Sequence, residues 1–240
     1  MQALISSFAL AMLYGISAIS PNKWPYKIIS YLALLLHSYL LYLLIDTNAG
    51  HDLSMVNMLA FTIWCLGLLY ELFNYKINNY KLQPYIFTLC ALAMFIPQIK
   101  NSTNIYKDIS SFMLIHILFA LVGLSIILFA LLQALDTLNT KYKLKHNLLT
   151  SGPSLEEKLK ATMLLTVSGF SVISLSFIIV MLNMSTHISN KVVLSLSGWL
   201  ILGYTLYFMY KSSWQIATIN KILCISLVLL TLGYMSSVIL

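Results

Sequence analysis

Arginine is absent from this 240-residue chain, and only 9% of its residues are charged. Soluble domains carry about 25%, so a water-covered globular surface is excluded on composition alone. Without the planar guanidinium fork, an anionic group could be met only by lysine, histidine or hydroxyl side chains. The three cysteines, Cys65, Cys90 and Cys224, form no CxxC pair and no CxxCH sequence. Their spacing argues against a thiol–disulfide relay, a structural zinc site and covalent c-type haem attachment to this chain, and makes them packing residues. No phosphate-binding glycine loop, HExxH or GxSxG occurs, so the common soluble-enzyme chemistries have no foothold.

What the chain has instead is apolar length. Hydrophobic residues make up 60% of it, and its mean hydropathy is +0.86. Predominantly apolar stretches approach the roughly 20 residues needed to cross a bilayer. Eight are expected, at about 2–20, 28–46, 54–74, 83–99, 109–134, 160–183, 191–210 and 218–239. Their continuous apolarity lacks the alternation of a membrane barrel, and a helix satisfies its own backbone hydrogen bonds in lipid. The expected fold is therefore all-α: a polytopic integral membrane protein, with residues 1–240 forming a single transmembrane domain.

The net charge of +7 rests on fourteen lysines, nearly all at span ends, a pattern that reports orientation rather than nucleic-acid binding. Lys23, Lys27, Lys76, Lys81, Lys141, Lys143, Lys145, Lys158, Lys160, Lys211 and Lys221 fall in the first, third, fifth and seventh breaks. Only Lys100, Lys107 and Lys191 fall in the others. Positive charge favours the cytoplasmic side, so both termini are expected outside, which in a bacterial inner membrane is the periplasm. The apolar N-terminus has no positive leading region, and it is expected to be the first span rather than a signal peptide. The largest break, about 135–159, reads as a cytoplasmic helical extension, a Ser-Gly-Pro turn at 151–153 and a new helix start. Ser154 followed three residues later by Glu157 is a capping-box pattern.

Two histidines, His37 and His116, break the apolar runs, while Glu71 stands near the inner end of its span and Asp46 at an outer boundary. An ionisable side chain within a span is costly to bury and usually marks an ion path, a proton relay or a cofactor ligand. His37 stands about nine residues from the outer end of its span and His116 about seven, so both are expected roughly 10–14 Å below the outer surface. Two neutral imidazoles at one depth suit axial ligation of a b-type haem in a dry pocket. Ala120 and Gly123 follow His116 on one helical face, where small residues admit either a flat macrocycle or a neighbouring helix. The competing expectation for each histidine is an imidazole hydrogen-bonded to a serine, tyrosine or carbonyl on the next helix. His51 and His187 read as solvated loop residues, and His146 lies in the lysine-rich break.

The chain after about residue 30 resembles the integral-membrane cytochrome c assembly proteins of the CcsA and CcmC type, and among them the YpjD-like inner-membrane proteins. The resemblance begins with LLLHSYLLYLL around His37 and the stretch HDLSMVNMLAFTIW with Leu53, Ser54 and Asn57. MLIHILFALVGLSIILFALLQAL around His116 follows, then PSLEEKL leading to Gly169 and Phe170, and finally VVLSLSGWLILGY and Trp214. It implies a haem-handling protein that assists cytochrome c maturation, with haem b as cofactor and His37 and His116 as iron ligands. In the family these two positions are associated with different haem sites, so a shared haem is a separate idea.

Several family features are missing. The outer loops hold no tryptophan cluster of the kind that presents haem for attachment. The second intramembrane histidine falls near Met209, with Lys211 just beyond, and the C-terminal outer histidine is replaced by GYMSSVIL. A methionine can ligate haem iron, but one in an apolar span is usually packing. The resemblance thus implies haem binding without the full reaction and with no assigned catalytic residue. Two alternatives stand beside it: a haem-free scaffold for another inner-membrane protein, and a small transporter with a proton-relay histidine. The transporter is the weakest, because no carboxylate ladder and no repeated pair of interrupted helices is present.

Overall fold

The computed structural model describes residues 2–19, 24–77, 79–99, 105–107, 109–146, 148, 153–183, 190–211 and 215–239. Among these residues are eight α-helices: α1 (Gln2–Ile19), α2 (Trp24–Ile45), α3 (Met55–Ile77), α4 (Gln83–Ala93), α5 (Ser111–Lys145), α6 (Leu155–Asn183), α7 (Asn190–Lys211) and α8 (Ile216–Ile239). Three short strands, β1 (Asp46–Thr47), β2 (Gly50–Asp52) and β3 (Ile105–Tyr106), accompany them. Among the described residues, α2, α3, α5, α6, α7 and α8 are long and apolar enough to cross a membrane. The chain divides into two compact units, Met1–Ile109 and Ser110–Leu240.

Polarity is inverted relative to a soluble protein. Large apolar side chains such as Leu35, Leu72, Leu92, Met181, Leu182 and Leu200 are exposed, whereas Ser30, Thr137, Thr162, Thr166, Thr205 and Ser226 are buried. Hydrocarbon, unlike water, solvates the former, and the latter must bond internally. The hydroxyls of Thr62, Ser125, Thr137, Thr162, Thr166 and Thr205 accordingly donate to the carbonyl one turn earlier on their own helices.

In the first unit, α1 packs on α2 and α4, and α3 packs on α2 and α4. Its interior holds Leu10, Tyr14, Leu34, Leu66, Tyr70, Ile86, Phe87 and Cys90, all at most 3% exposed. α4 begins with Pro84 in its first turn, where the missing N–H has no intrahelical use. It ends after 11 residues, about 16 Å of rise against a hydrocarbon core of about 30 Å. Pro97 explains the early stop. It has no N–H to offer the Ala93 carbonyl four residues back, and its ring would clash with that carbonyl, so the chain passes into a 3-10 turn at Ile96–Ile99.

The strands form an antiparallel sheet in the order β1-β2-β3, a feature absent from the expectations above. His51 pairs with Asp46 on one side and Tyr106 on the other. Gly50 has φ +128°, and a Cβ there would stand 2.6 Å from the Tyr106 carbonyl oxygen, so only glycine lets β3 approach. The sheet leads directly into α3. The Ser54 N–H donates to Asp52 Oδ1 at 3.1 Å, and Asn57 Nδ2 donates to the carbonyls of Asp52 (3.1 Å) and Leu44 (3.3 Å). Leu53, Ser54 and Asn57 thus occupy the turn that ties the start of α3 to the end of α2.

In the second unit, α5 packs on α6 and α8, α6 on α7, and α7 on α8. The core gathers Leu124, Ile127, Ile173, Leu202, Met209, Ile216, Ile219, Leu223 and Leu230. Close approach depends on missing side chains: a Cβ on Gly198 would lie 2.9 Å from the Leu230 backbone nitrogen, and one on Gly233 2.7 Å from that of Ser195. At the expected capping box, Ser154 N–H donates to Glu157 Oε2 at 2.7 Å and Glu157 N–H to Ser154 Oγ at 3.2 Å. Pro153 precedes it, and the other two residues of the expected turn, Ser151 and Gly152, lie outside the described residues. α5 runs 35 residues, about 52 Å, so the first part of the 135–159 break is the expected helical extension.

Candidate functional site

Each intramembrane histidine is anchored by a different helix of its own unit. His37 is eight residues before the last residue of α2, Ile45, and is fully buried. Its Nδ1 lies 2.9 Å from Tyr14 Oη on α1, with the rings edge to face at 5.8 Å. Phe87 of α4 packs on the other side of Tyr14 at 5.6 Å. The Nε2 of His37 is buried with no hydrogen-bond partner. Leaving such an atom unpaired is costly; Ser54 Oγ and Asn57 Oδ1 of the same unit are in the same state.

His116 is five residues after the first residue of α5, Ser111, and is partly buried. Its Nδ1 lies 3.0 Å from the carbonyl oxygen of Ser176 on α6 and 2.7 Å from the Ser176 hydroxyl. That hydroxyl donates in turn to the His116 carbonyl at 3.1 Å. A carbonyl only accepts, so Nδ1 carries the proton, and in the neutral ring Nε2 holds the lone pair. One turn along α6 from Ser176 lies Val172. It borders an apolar groove of about 290 Å3 with Ile115, Leu118, Phe119 and Val122 of α5.

The face of α5 carrying Ala120 and Gly123 is occupied by the neighbouring helix. A Cβ on Gly123 would stand 3.3 Å from the Ile173 backbone nitrogen and 3.4 Å from Val172 Cγ1, and Ala120 is 9% exposed. Of the two meanings left open for this small-residue stripe, helix packing is the one the structure takes. Met209 is 2% exposed within the core of the second unit, which is a packing position. Cys65 and Cys90 are buried and Cys224 is exposed. Cys90 donates weakly to the Ile63 carbonyl at 3.5 Å.

The remaining histidines have plain surroundings. His51 on β2 faces Asp46 at 3.5 Å, with both side chains well exposed. His146 caps the end of α5 and packs against Tyr142 at 4.4 Å with the rings tilted by 51°. His187 and Trp214 lie outside the described residues. Among the described residues, no group of three or more His, Cys, Asp or Glu side chains could hold a bare metal ion.

Pieces of sequence far apart in the chain meet in the second unit. Phe170 stacks on Trp199 at 5.3 Å and 12°, and Trp199 Nε1 donates to Ser174 Oγ at 2.8 Å. Asn220 Nδ2 donates to the Ala134 carbonyl at 3.2 Å, and Ser226 Oγ to the Gly198 carbonyl at 2.8 Å. The first unit is knitted in the same way, by Trp64 Nε1 to the Leu34 carbonyl (2.9 Å), Gln83 Nε2 to the Ser17 carbonyl (3.0 Å) and Ser30 Oγ to Glu71 (2.7 Å). The Tyr14–His37 and His116–Ser176 contacts belong to this series.

One site escaped the sequence reading altogether. Lys158, counted with the orientation lysines, is 1% exposed and pairs with Asp136 of α5. It also donates to Thr140 Oγ1 at 2.8 Å. The signal available was the placement of Asp136 and Thr140 on one face of the α5 extension, at i and i+4. No family model, no curated protein and no solved structure matches the chain.

Proposed function

We propose that the chain is a multi-pass haem-binding protein of a bacterial inner membrane, and that it handles haem in cytochrome c assembly. The observation that carries the reading is the state of the two imidazoles. Each has Nδ1 engaged by a residue of another helix, Ser176 for His116 and Tyr14 for His37. Haem-ligating histidines are held in this manner, one nitrogen anchored and the other free to bind iron. At His116 the Ser176 carbonyl fixes Nδ1–H and leaves Nε2 as the donor atom toward iron; at His37 the Tyr14 hydroxyl can give or take the Nδ1 proton, and Nε2 is buried and unpaired.

The surroundings fit the group in part. The groove lined by Ile115, Leu118, Phe119, Val122 and Val172 is apolar enough for the face of a macrocycle but does not take in His116, and the propionates would rely on lysine or hydroxyl groups, since the chain has no arginine. When bound, haem would supply an iron centre able to take an axial ligand or an electron. The chain's own residues supply position, a dry setting and the two ligand nitrogens. The resemblance to the cytochrome c assembly proteins, together with the missing tryptophan-rich segment, supports carriage or storage of haem rather than its attachment to a cytochrome.

The test is the absorption spectrum of the protein purified in mild detergent, before and after haem supplementation, with and without dithionite. A Soret band that is lost or shifted in His116→Ala and His37→Ala supports the reading. A preparation that stays colourless after supplementation refutes it. A second reading draws on one specific observation: both imidazoles already join neighbouring helices, and the Gly123 face is filled by α6. In that case the histidines are structural, and the chain is a scaffold for another inner-membrane protein. It is supported by a colourless protein that keeps a co-purifying partner in both histidine variants.

A further inference from the structure

At the sheet-bearing end of the first unit, α2 and α3 diverge around a groove of about 230 Å3. Its floor is apolar, formed by Leu41, Ile45, Phe61 and Trp64, and Tyr42 and Asp46 stand on its lining. Ser38 also lines it, but its hydroxyl is turned back to the Leu35 carbonyl at 2.7 Å. Asp46 is the first residue after the apolar segment Pro25–Ile45, so its carboxylate marks the boundary between hydrocarbon and headgroup on this helix. Trp64 is held in place by its bond to the Leu34 carbonyl at 2.9 Å, and Phe61 packs on it at 5.5 Å. The groove is therefore a fixed apolar channel with one negative charge at its polar end.

We infer that this groove binds a phospholipid bearing a primary ammonium headgroup, of the phosphatidylethanolamine class. A chain-like apolar floor on a membrane-facing helix pair is complementary to an acyl tail. The charge selects the head. Asp46 shares the groove lining with Tyr42 and faces His51 at 3.5 Å. A carboxylate has about four lone-pair sites, so acceptor capacity remains for an ammonium donor. Its side chain is 41% exposed, open to a ligand arriving from the bilayer surface. An ammonium offers three N–H donors to the carboxylate, a quaternary choline head offers none, and the net negative charge of a phosphatidylglycerol is repelled. The expected order is thus ethanolamine, then choline, then glycerol.

The full-length protein in mild detergent is incubated with phosphatidylethanolamine, phosphatidylcholine or phosphatidylglycerol of identical acyl chains, and bound lipid is read by native mass spectrometry. The expected result is preferential retention of phosphatidylethanolamine, reduced about tenfold by Asp46→Asn, as for loss of a charge-assisted hydrogen bond. Ile45→Trp, which fills the groove, should lower retention of all three lipids while the melting profile in the same detergent stays unchanged. Equal retention of the three lipids by the parent protein overturns the inference. So does a phosphatidylethanolamine preference that persists in both Asp46→Asn and Ile45→Trp.

Discussion

Replacing Asp136 by asparagine removes the carboxylate from the pair that joins the end of α5 to the start of α6. Lys158 is 1% exposed and Asp136 10%, so the ammonium that remains has little access to solvent. Its partners become Thr140 Oγ1 at 2.8 Å and a neutral amide in place of the carboxylate. Breaking a buried ion pair by removing one member costs about 3–5 kcal/mol, because a charge is left uncompensated. Replacing both members by apolar residues of similar volume is often neutral or stabilising. The expected order of stability is therefore Asp136→Asn lowest, Lys158→Met also low, and the double variant Asp136→Leu/Lys158→Met near the parent. Thr140→Val, which deletes one hydrogen bond to a charged donor, should cost about 1.5–3 kcal/mol.

Unfolding in mixed micelles by sodium dodecyl sulfate, followed by far-UV circular dichroism, measures these differences. The neighbouring Lys160–Glu156 pair, 2.7 Å apart with side chains 72% and 76% exposed, is the internal control. Lys160→Met should leave the transition midpoint where it is, since an exposed pair gains little against water and side-chain entropy. The reasoning is refuted if Asp136→Asn and Lys160→Met shift the midpoint equally. It is also refuted if the double variant is as unstable as the single ones.

Tyr14→Phe deletes the hydroxyl bonded to the fully buried His37 imidazole and should cost about 1–3 kcal/mol, largely recovered when His37→Leu is added; a neutral Tyr14→Phe in the same titration would contradict the contact. Gly233→Ala places a methyl 2.7 Å from the Ser195 backbone nitrogen and should destabilise by about 1–3 kcal/mol through forced separation of α7 and α8. Gly203→Ala, whose nearest neighbour would be Phe170 at 3.4 Å, should be tolerated in the same assay.

Much of the fold was legible because it rests on local rules. Continuous apolar runs locate the eight helices, since lipid demands that each segment satisfy its own backbone. The start of α6 was legible in Ser154 and Glu157, because a capping box is complete within four residues. The three-stranded sheet was not, since strands of two or three residues show no periodicity and β3 comes from beyond α4. The length of α4 was misjudged because its apolar residues continue past the point where Pro97 stops the helix. Lys158 read as one more interfacial cation because exposure is not a property of a residue type. His37 and His116 stood out at once as ionisable groups in apolar runs, but nothing local names their anchors, which are 23 and 60 residues away.

By itself the sequence determined that the chain is helical and membrane-compatible, where its helices lie and which two imidazoles interrupt the apolar runs, because hydropathy and capping are read over a few neighbouring residues. Only the tertiary structure decided that Tyr14 and Ser176 hold those imidazoles by one nitrogen each, that α6 fills the Gly123 face, and that Asp136 and Lys158 form a buried pair. Those are outcomes of packing, in which a polar atom takes whichever partner the neighbouring helix presents once water has been excluded.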